Sequence, residues 1–205
     1  MEKRNWKHIV TLKQRMVLCL AAFFAAFALQ LALNGYQARA VQQVQDDQMG
    51  NFNAISRFQG GVESSISILE AYRWENGETE EMLEKLQAAC STSNAWLWRI
   101  RSNMDGLQNV SDEQWVLYGA VETTYGSYNT LLEELESYLS SGQEAKASQL
   151  YYNKVSVCGG YLSQYTMQLL KASILDAQTT YTEISELGER IALMQIVVVA
   201  LCVAL

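Results

Sequence analysis

Residues 110 to 142 read VSDEQWVLYGAVETTYGSYNTLLEELESYLSSG, and they contain a helix start, a helix seam and a helix stop in that order. Ser111 with Gln114 three residues later is a capping box, and Val110 with Trp115 fits a hydrophobic staple. Apolar residues then recur at steps of three and four, which predicts one buried helix face. These residues are Tyr118, Val121, Tyr125, Tyr128, Leu132, Leu135 and Leu139. Gly142 follows as a helix stop, so the stretch predicts a helix over about 111–141.

Similar breaks occur on both sides of this helix. Asn76-Gly77 followed by Thr79 predicts one stop and one new N-cap, Gln108-Asn109 forms a second break, and Ser141 with Glu144 is a second possible capping box. The chain contains no proline, and its apolar spacing is helical throughout. Four helices follow, over about 35–75, 79–107, 111–141 and 143–190. Because short connections make neighbours antiparallel, the fold class is all-α, an up-down-up-down antiparallel four-helix bundle.

The seams of the other helices are also readable. In the second helix, the spacing of apolar and small residues predicts a buried face. It consists of Leu86, Cys90, Ser93, Leu97, Ile100, Met104 and Leu107. The first helix predicts a less regular face made of Val41, Val44, Phe52, Ile55, Val62, Ile66 and Leu69. In the fourth helix, the predicted buried face consists of Tyr151, Val155, Cys158, Leu162, Tyr165 and Leu169.

Two apolar runs flank the bundle. Met16–Leu33 has 18 residues without a charge, which fits a transmembrane helix. Ile191–Leu205 has 15, so we expect it to be the start of a second transmembrane helix that is truncated here. The predicted organisation is a basic tail over 1–15, a span over 16–34, a sensor domain over 35–190 and the second span from 191 to 205. The first and last bundle helices then continue into the membrane, with lipid as a partner.

Charge predicts the orientation. Residues 1–15 have a net charge of +4, whereas the remaining residues, 10 basic and 21 acidic, have a net charge of −11. By the positive-inside tendency, the N-terminus is cytoplasmic and residues 35–190 are extracytoplasmic, in a multi-pass protein of the cell membrane. The acidic outer segment has no basic cluster, which argues against nucleic-acid binding.

A cleaved signal peptide is the alternative for the first run. Ala38-Arg39-Ala40 fits a small-x-small cleavage site, which would make Val41 the first residue of the mature chain. The apolar run is longer than the usual signal core of about 7 to 15 residues, which favours an uncleaved anchor.

Chemistry-bearing motifs are scarce in this sequence. His8 is its only histidine, and no metal-ligand spacing, phosphate-binding glycine loop or nucleophile elbow is present. We therefore expect no catalytic residue, metal or cofactor in this segment. Four cysteines do not make a disulfide framework, and Cys90 with Cys158 would lie on diagonal helices, which favours two core thiols over a disulfide.

Five glycines lie at one predicted height on three helices: Gly60, Gly61, Gly126, Gly159 and Gly160. Glycine within a helix costs about 0.5–1 kcal/mol relative to alanine, so another interaction must offset the loss. Close helix packing, a ligand cavity and a flexible joint all remain open as explanations. The ligand cavity would be formed by Gly60, Gly61, Tyr125, Tyr128, Gly159 and Tyr161.

Two surface features also have alternative interpretations. Trp96, Trp98, Arg99 and Arg101 could form an anion site with aromatic walls, or a bundle flank with arginines in water. The acidic residues Glu75, Glu78, Glu80, Glu81 and Glu84 could attract cations, or simply form a solvated helix N-terminus.

A basic tail, a span, an outer helical bundle and a second span entered through YTEISELGERIALM (181–194) resemble the input half of a bacterial transmembrane sensor histidine kinase. The resemblance implies a homodimer, an extracellular stimulus of unknown identity, a cytoplasmic kinase outside this sequence, and a response regulator as the partner of the whole protein. Chemotaxis receptors share this input architecture and are one alternative. A membrane-anchored or secreted helical interaction protein is another.

Overall fold

The computed structural model describes residues 12–72, 79–107 and 110–204, and within these ranges the chain is helical without any strand. The elements are α1 (Leu12–Ala71), α2 (Thr79–Gly106), α3 (Asp112–Ser140), α4 (Glu144–Leu150), a π-helical turn (Tyr151–Val155) and α5 (Ser156–Ala204). The predicted stop at Asn76-Gly77, the break at Gln108-Asn109 and most of the basic tail lie outside the described residues. The all-α prediction is confirmed.

The chain divides into two compact units, which we call the arm unit and the bundle unit. The arm unit consists of Met1–Val44 with Thr180–Leu205, and the bundle unit consists of Gln45–Thr179. In the arm unit, the side chain of Gln37 lies directly against the backbone of Gly188, where a Cβ atom would overlap it. The absent side chain at Gly188 therefore lets the two helical segments of this unit approach closely.

The ends of α3 follow from local chemistry. The Ser111 side chain accepts a hydrogen bond from the Gln114 backbone N–H at 3.3 Å, which confirms Ser111 as the N-cap. Gly142 has a φ of +70°, and the N–H groups of Gly142 and Gln143 donate to the carbonyls of Leu139 and Tyr138. This pair of bonds is a Schellman motif, which confirms the stop predicted at Gly142.

Two predicted caps do not form as expected. The N-cap of α4 is Gln143, and Ser141 donates back to the Ser137 carbonyl at 2.8 Å, so the second capping box is wrong. Thr79 is the first residue inside α2, and its hydroxyl is hydrogen-bonded to Tyr72 at 2.8 Å. In each case a nearby partner takes the hydroxyl that the sequence pattern assigned to a cap.

The buried faces agree closely with the predicted seams. Every residue of the predicted α3 face is buried, and Gln114 extends that face by one step. On α2, Cys90 is only half-buried, whereas Met82 and Ala89 join the core, and Leu107, just after the helix end, is also half-buried. On α1 the prediction for Phe52 is wrong, because Phe52 is exposed and its neighbour Asn51 is fully buried.

Contacts inside the bundle unit establish its antiparallel order. For each pair of neighbouring helices, residue numbers rise along one helix as they fall along the other. The pairs are Gly61 with Ser93 and Gly50 with Asn103 for α1 and α2; Gln87 with Glu136 and Arg101 with Glu122 for α2 and α3; and Cys158 with Thr124 and Asp176 with Ser111 for α5 and α3. The bundle unit is therefore an antiparallel helical bundle, as the short connections predicted.

On α1, α3 and α5 a run of buried residues repeats at heptad spacing, and we group these residues with the facing residues of α2 into core layers. We define two of these layers by their residues. The Tyr128 layer consists of Ser65, Ala89, Tyr128 and Gly159, and the Asn51 layer consists of Asn51, Met104, Gln114 and Ser173. All eight residues are buried.

Continuation of α1 and α5 into a membrane remains a prediction. Among the residues that the structure describes, no helix combines the length and the hydropathy of a membrane span.

Candidate functional site

The six residues predicted to line a ligand cavity divide between the core and the surface. Those in the core are Gly61, Tyr125, Tyr128 and Gly159, and those at the surface are Gly60 and Tyr161. The structure thus brings four of the six into adjacent core layers of the bundle unit. Tyr161 is 55% exposed, so the structure does not place it with the others.

Tyr128 is the centre of this region and is fully buried. Its hydroxyl is hydrogen-bonded to Ser65 Oγ at 2.9 Å, and Ser65 in turn donates to the Val62 carbonyl at 2.7 Å. The Tyr128 hydroxyl is therefore the donor to Ser65. Burial raises the pKa of Tyr128, so the phenol is neutral at physiological pH.

Gly159 makes room for the Tyr128 ring. A Cβ atom at Gly159 would lie 3.1 Å from Ile66 Cδ1 and 3.3 Å from Tyr128 Cε2, which is tighter than ordinary contact. Ser65 and Ala89, the other residues of the layer, are also small. The four residues together combine one large ring with three small neighbours, which is how close-packed cores fill space.

Tyr125 occupies the adjacent layer and is also engaged within the protein. Its hydroxyl donates to the Cys90 carbonyl at 2.9 Å, and its ring packs edge to face on Phe58 with 5.2 Å between ring centroids. Burial raises the pKa of Tyr125 to about 12. A ligand in this region would have to displace one of these contacts.

Gly61 supports the same packing from α1. A Cβ atom at Gly61 would overlap Ser93 Oγ, which donates to the Ala89 carbonyl at 2.9 Å. Gly60, one residue earlier, has no such neighbour. The two adjacent glycines thus differ, since only Gly61 permits close approach of α1 and α2.

Cys90 and Cys158 are free thiols that are half-buried in the bundle unit. Burial, together with the negative charge of Glu136, raises the pKa of Cys90 to about 11. Burial also raises the pKa of Cys158, whose Sγ donates weakly to the Thr124 carbonyl at 3.7 Å. Neither thiol has the lowered pKa of a reactive cysteine.

The tryptophan and arginine stretch lies mainly on the outer face of α2. Trp98 is 67% exposed and Trp96 is half-buried. Arg101 forms an exposed ion pair with Glu122 at 3.4 Å, so its charge is partly balanced by α3. This arrangement is that of a bundle flank, and it presents no enclosed anion site.

The acidic residues of α2 are exposed at its N-terminus. Glu81 forms an ion pair with Lys85 at 2.5 Å, while Glu75 and Glu78 lie outside the described residues. Across the part of the chain that the structure describes, no group of three His, Cys, Asp or Glu residues is arranged to hold a metal ion.

The structure contains one feature that the sequence reasoning missed, an open cavity of about 350 Å³ in the arm unit. Its walls are apolar except for two glutamines, Gln30 and Gln195. Gln195 Nε2 is buried there without a hydrogen-bond partner. The signal was available in the sequence, because these glutamines are the polar exceptions in the two apolar runs.

Comparison of the chain with protein-family models, curated proteins and solved structures finds no match. The resemblance to a sensor kinase therefore rests on the order of charged, apolar and helical segments. The geometry of the described residues has to support any function by itself.

Proposed function

We propose that this chain is the input half of a transmembrane sensor histidine kinase, in which residues 35–190 form the extracytoplasmic sensing domain. One observation carries the proposal. In the arm unit, large apolar side chains between 46% and 69% exposed cover both helical segments. They are Met16, Val17, Leu20, Phe23, Phe24, Phe27, Leu29 and Leu31 on α1, and Leu193, Met194, Ile196, Val197 and Val199 on α5.

Apolar surface of this extent is expected to contact lipid or another protein. Contiguous patches larger than a few hundred Å² are rare on soluble monomers and mark protein or membrane contacts. Lipid covers such surface without any matching shape, and the basic residues before Met16 fit the cytoplasmic side of a bilayer. The bundle unit, in contrast, has a core of buried apolar residues, although some of its large apolar side chains, such as Trp98 and Val116, are also exposed.

The continuity of α5 supports the proposed signal transfer. The helix runs without a break from Ser156 to Ala204, so a displacement at its start passes along its axis. Packed helix interfaces favour discrete shifts of about 1–2 Å, which is the scale at which receptors of this architecture would act. In this proposal, a stimulus changes the bundle, α5 moves relative to α1, and a cytoplasmic kinase domain outside this sequence responds.

Impermeant maleimide labelling of the full chain in intact cells tests the topology. In a background without native cysteines, we expect Ser64→Cys to be labelled before lysis, because Ser64 lies on the exposed face of α1 in the bundle unit. Lys7→Cys is the matched control and should be labelled only after lysis. Labelling of Ser64→Cys only after lysis, or a mature chain that begins at Val41, would contradict the proposal.

The sequence encoded after Leu205 tests which type of signalling domain follows this segment. A sensor kinase requires a helix with a phosphoacceptor histidine followed by an ATP-binding domain. A chemotaxis receptor instead requires a long heptad hairpin with Glu and Gln methylation sites. A frame with neither would favour the helical interaction protein, whose exposed apolar surface would then contact another protein.

A further inference from the structure

Three polar side chains are enclosed in one end of the bundle core. Asn51 is 0% exposed, Gln114 is 1% exposed and Ser173 is 3% exposed. Four of their atoms have no hydrogen-bond partner: Asn51 Nδ2, Asn51 Oδ1, Gln114 Oε1 and Ser173 Oγ. Since buried polar groups are almost always hydrogen-bonded, these four atoms require an explanation.

The three residues come from three helices but lie at one level. Each is two heptads away from a residue of the Tyr128 layer: Asn51 from Ser65, Gln114 from Tyr128, and Ser173 from Gly159. Those residues of the Tyr128 layer are in contact, through the Ser65–Tyr128 hydrogen bond and the packing of Gly159 on Tyr128. A two-heptad step returns to the same helix face in a bundle, so the Asn51 layer repeats that arrangement.

An independent contact supports the conclusion that Gln114 and Ser173 lie at the same height in the bundle. The Ser111 backbone N–H donates to Asp176 Oδ2 at 3.3 Å. Gln114 lies three residues after Ser111, and Ser173 lies three residues before Asp176, on antiparallel helices. One helical turn from this bond therefore brings α3 and α5 to Gln114 and Ser173 at the same height.

The Asn51 layer also differs from its neighbours in the kind of side chain that it contains. The four layers that follow it along α3 each contain one aromatic ring, from Tyr118, Phe58, Tyr125 and Tyr128 in turn. The Asn51 layer contains none, and its only apolar side chain is Met104.

We propose that the Asn51 layer is a buried binding site for water, held by Asn51, Gln114 and Ser173. Bound water would donate to Asn51 Oδ1 and Gln114 Oε1 and accept from Asn51 Nδ2 and the Ser173 hydroxyl. A buried water makes about three hydrogen bonds, so one or two molecules satisfy the four atoms. The site is neutral, because no charged side chain belongs to the layer, and this favours water over an ion.

This hydration has a mechanical consequence for the bundle. Hydrogen bonds to water form again after α1 and α5 shift, whereas an interdigitated apolar layer resists the same shift. We therefore expect the Asn51 layer to deform more easily than the apolar layers and the amides beside it to be less protected from exchange. The inference concerns the core alone and holds whether or not the chain is a sensor.

Nuclear magnetic resonance on the full isotope-labelled chain in detergent tests the proposal. We expect cross-peaks between water and the Asn51 side-chain amide, with the sign of a water that tumbles with the protein. Gln164 on the exposed face of α5 is the control, and its amide should show only transient hydration. Ser173→Ala should weaken the Asn51 cross-peak while the fold is retained.

Amide hydrogen exchange provides a second readout. Asn51→Leu fills the layer with an apolar side chain, and we expect about tenfold slower exchange for the α5 amides near Ser173. A direct Asn51–Gln114 amide hydrogen bond without any bound-water cross-peak would overturn the proposal. If Asn51→Leu does not fold, the Ser173→Ala comparison decides alone, and an unchanged cross-peak would also overturn it.

Discussion

The backbone N–H of Ser111 is hydrogen-bonded to Asp176 Oδ2 at 3.3 Å, although 65 residues separate them in the chain. In a complete capping box this N–H would be the partner of the Gln114 side chain. Because Asp176 takes that role, Gln114 is released to lie in the core. The Asp176 carboxylate thus links the start of α3 to α5. Because it binds the Ser111 N–H, the Gln114 side chain is free to lie in the Asn51 layer.

Substitution of either Ser111 or Asp176 should destabilise the bundle. We expect Ser111→Ala to cost about 1 kcal/mol, because the Gln114 N–H loses its cap. Asp176→Ala should cost about 0.5–1.5 kcal/mol, because it removes the partner of the Ser111 N–H. Chemical unfolding measures both, with the exposed Lys171→Ala on the same helix as the control. An effect of Asp176→Ala no larger than that of Lys171→Ala would contradict this role.

Adjacent glycines should respond in opposite directions to alanine. Gly160→Ala meets nothing within 4 Å and should stabilise the helix by about 0.5–1 kcal/mol. Gly159→Ala should instead destabilise by about 1 kcal/mol, since overpacking against Ile66 and Tyr128 outweighs the helix gain. Gly60 and Gly61 provide an independent repeat of the comparison. Thermal unfolding shifts of the same sign within each pair would show that the packing argument is wrong.

The Tyr128 hydroxyl should contribute measurable stability. Tyr128→Phe removes its hydrogen bond to Ser65, and we expect a loss of about 1 kcal/mol. The matched control is Tyr161→Phe, because Tyr161 is exposed and should lose almost nothing. Denaturant midpoints compare the two variants directly, and equal midpoints would contradict the prediction.

Alkaline pH should unfold the bundle, because its core thiol and phenols titrate later when folded. The pKa of Cys90 is raised from 9.0 to about 11, and those of Tyr118 and Tyr125 are raised from 10.0 to about 12. The unfolded chain releases these protons first, so the stability they provide is complete below pH 9 and is lost as pH rises towards 12. Circular dichroism melts across this window measure the loss. Tyr125→Phe should make the decline shallower, and a constant melting temperature would refute the account.

Much of the fold could be predicted because the signals that define it are local. The cap at Ser111, the stop at Gly142 and the heptad face of α3 each depend on residues within a few turns of one another. The helical assignment of the remaining chain follows from the same periodicity and the lack of proline.

The predictions that failed concern which of two adjacent residues is buried. The sequence analysis also did not find contacts between residues that are distant in the chain. Phe52 was expected in the core because it is apolar, whereas the heptad spacing back from Ile55 places Asn51 there instead. Which glycine of each adjacent pair faces inward depends on a rotation of about 100° per residue, and the sequence analysis did not resolve it. The bond between Asp176 and Ser111 joins two helices and leaves no local pattern.

The π-helical turn at Tyr151–Val155 holds one residue more than an ordinary helix would need there. Ala147, Tyr151, Val155 and Gly159 are buried at three successive steps of four residues, which take 12 residues. A heptad pattern alternates steps of four and three and would take 11, and the wide turn absorbs the one extra residue. Removing one residue within the turn should restore an ordinary helix with both flanks in phase. The same deletion near Leu169 would rotate every later side chain by about 100°. Among positions inside the helices of the bundle unit, a one-residue deletion should therefore be tolerated best at this turn.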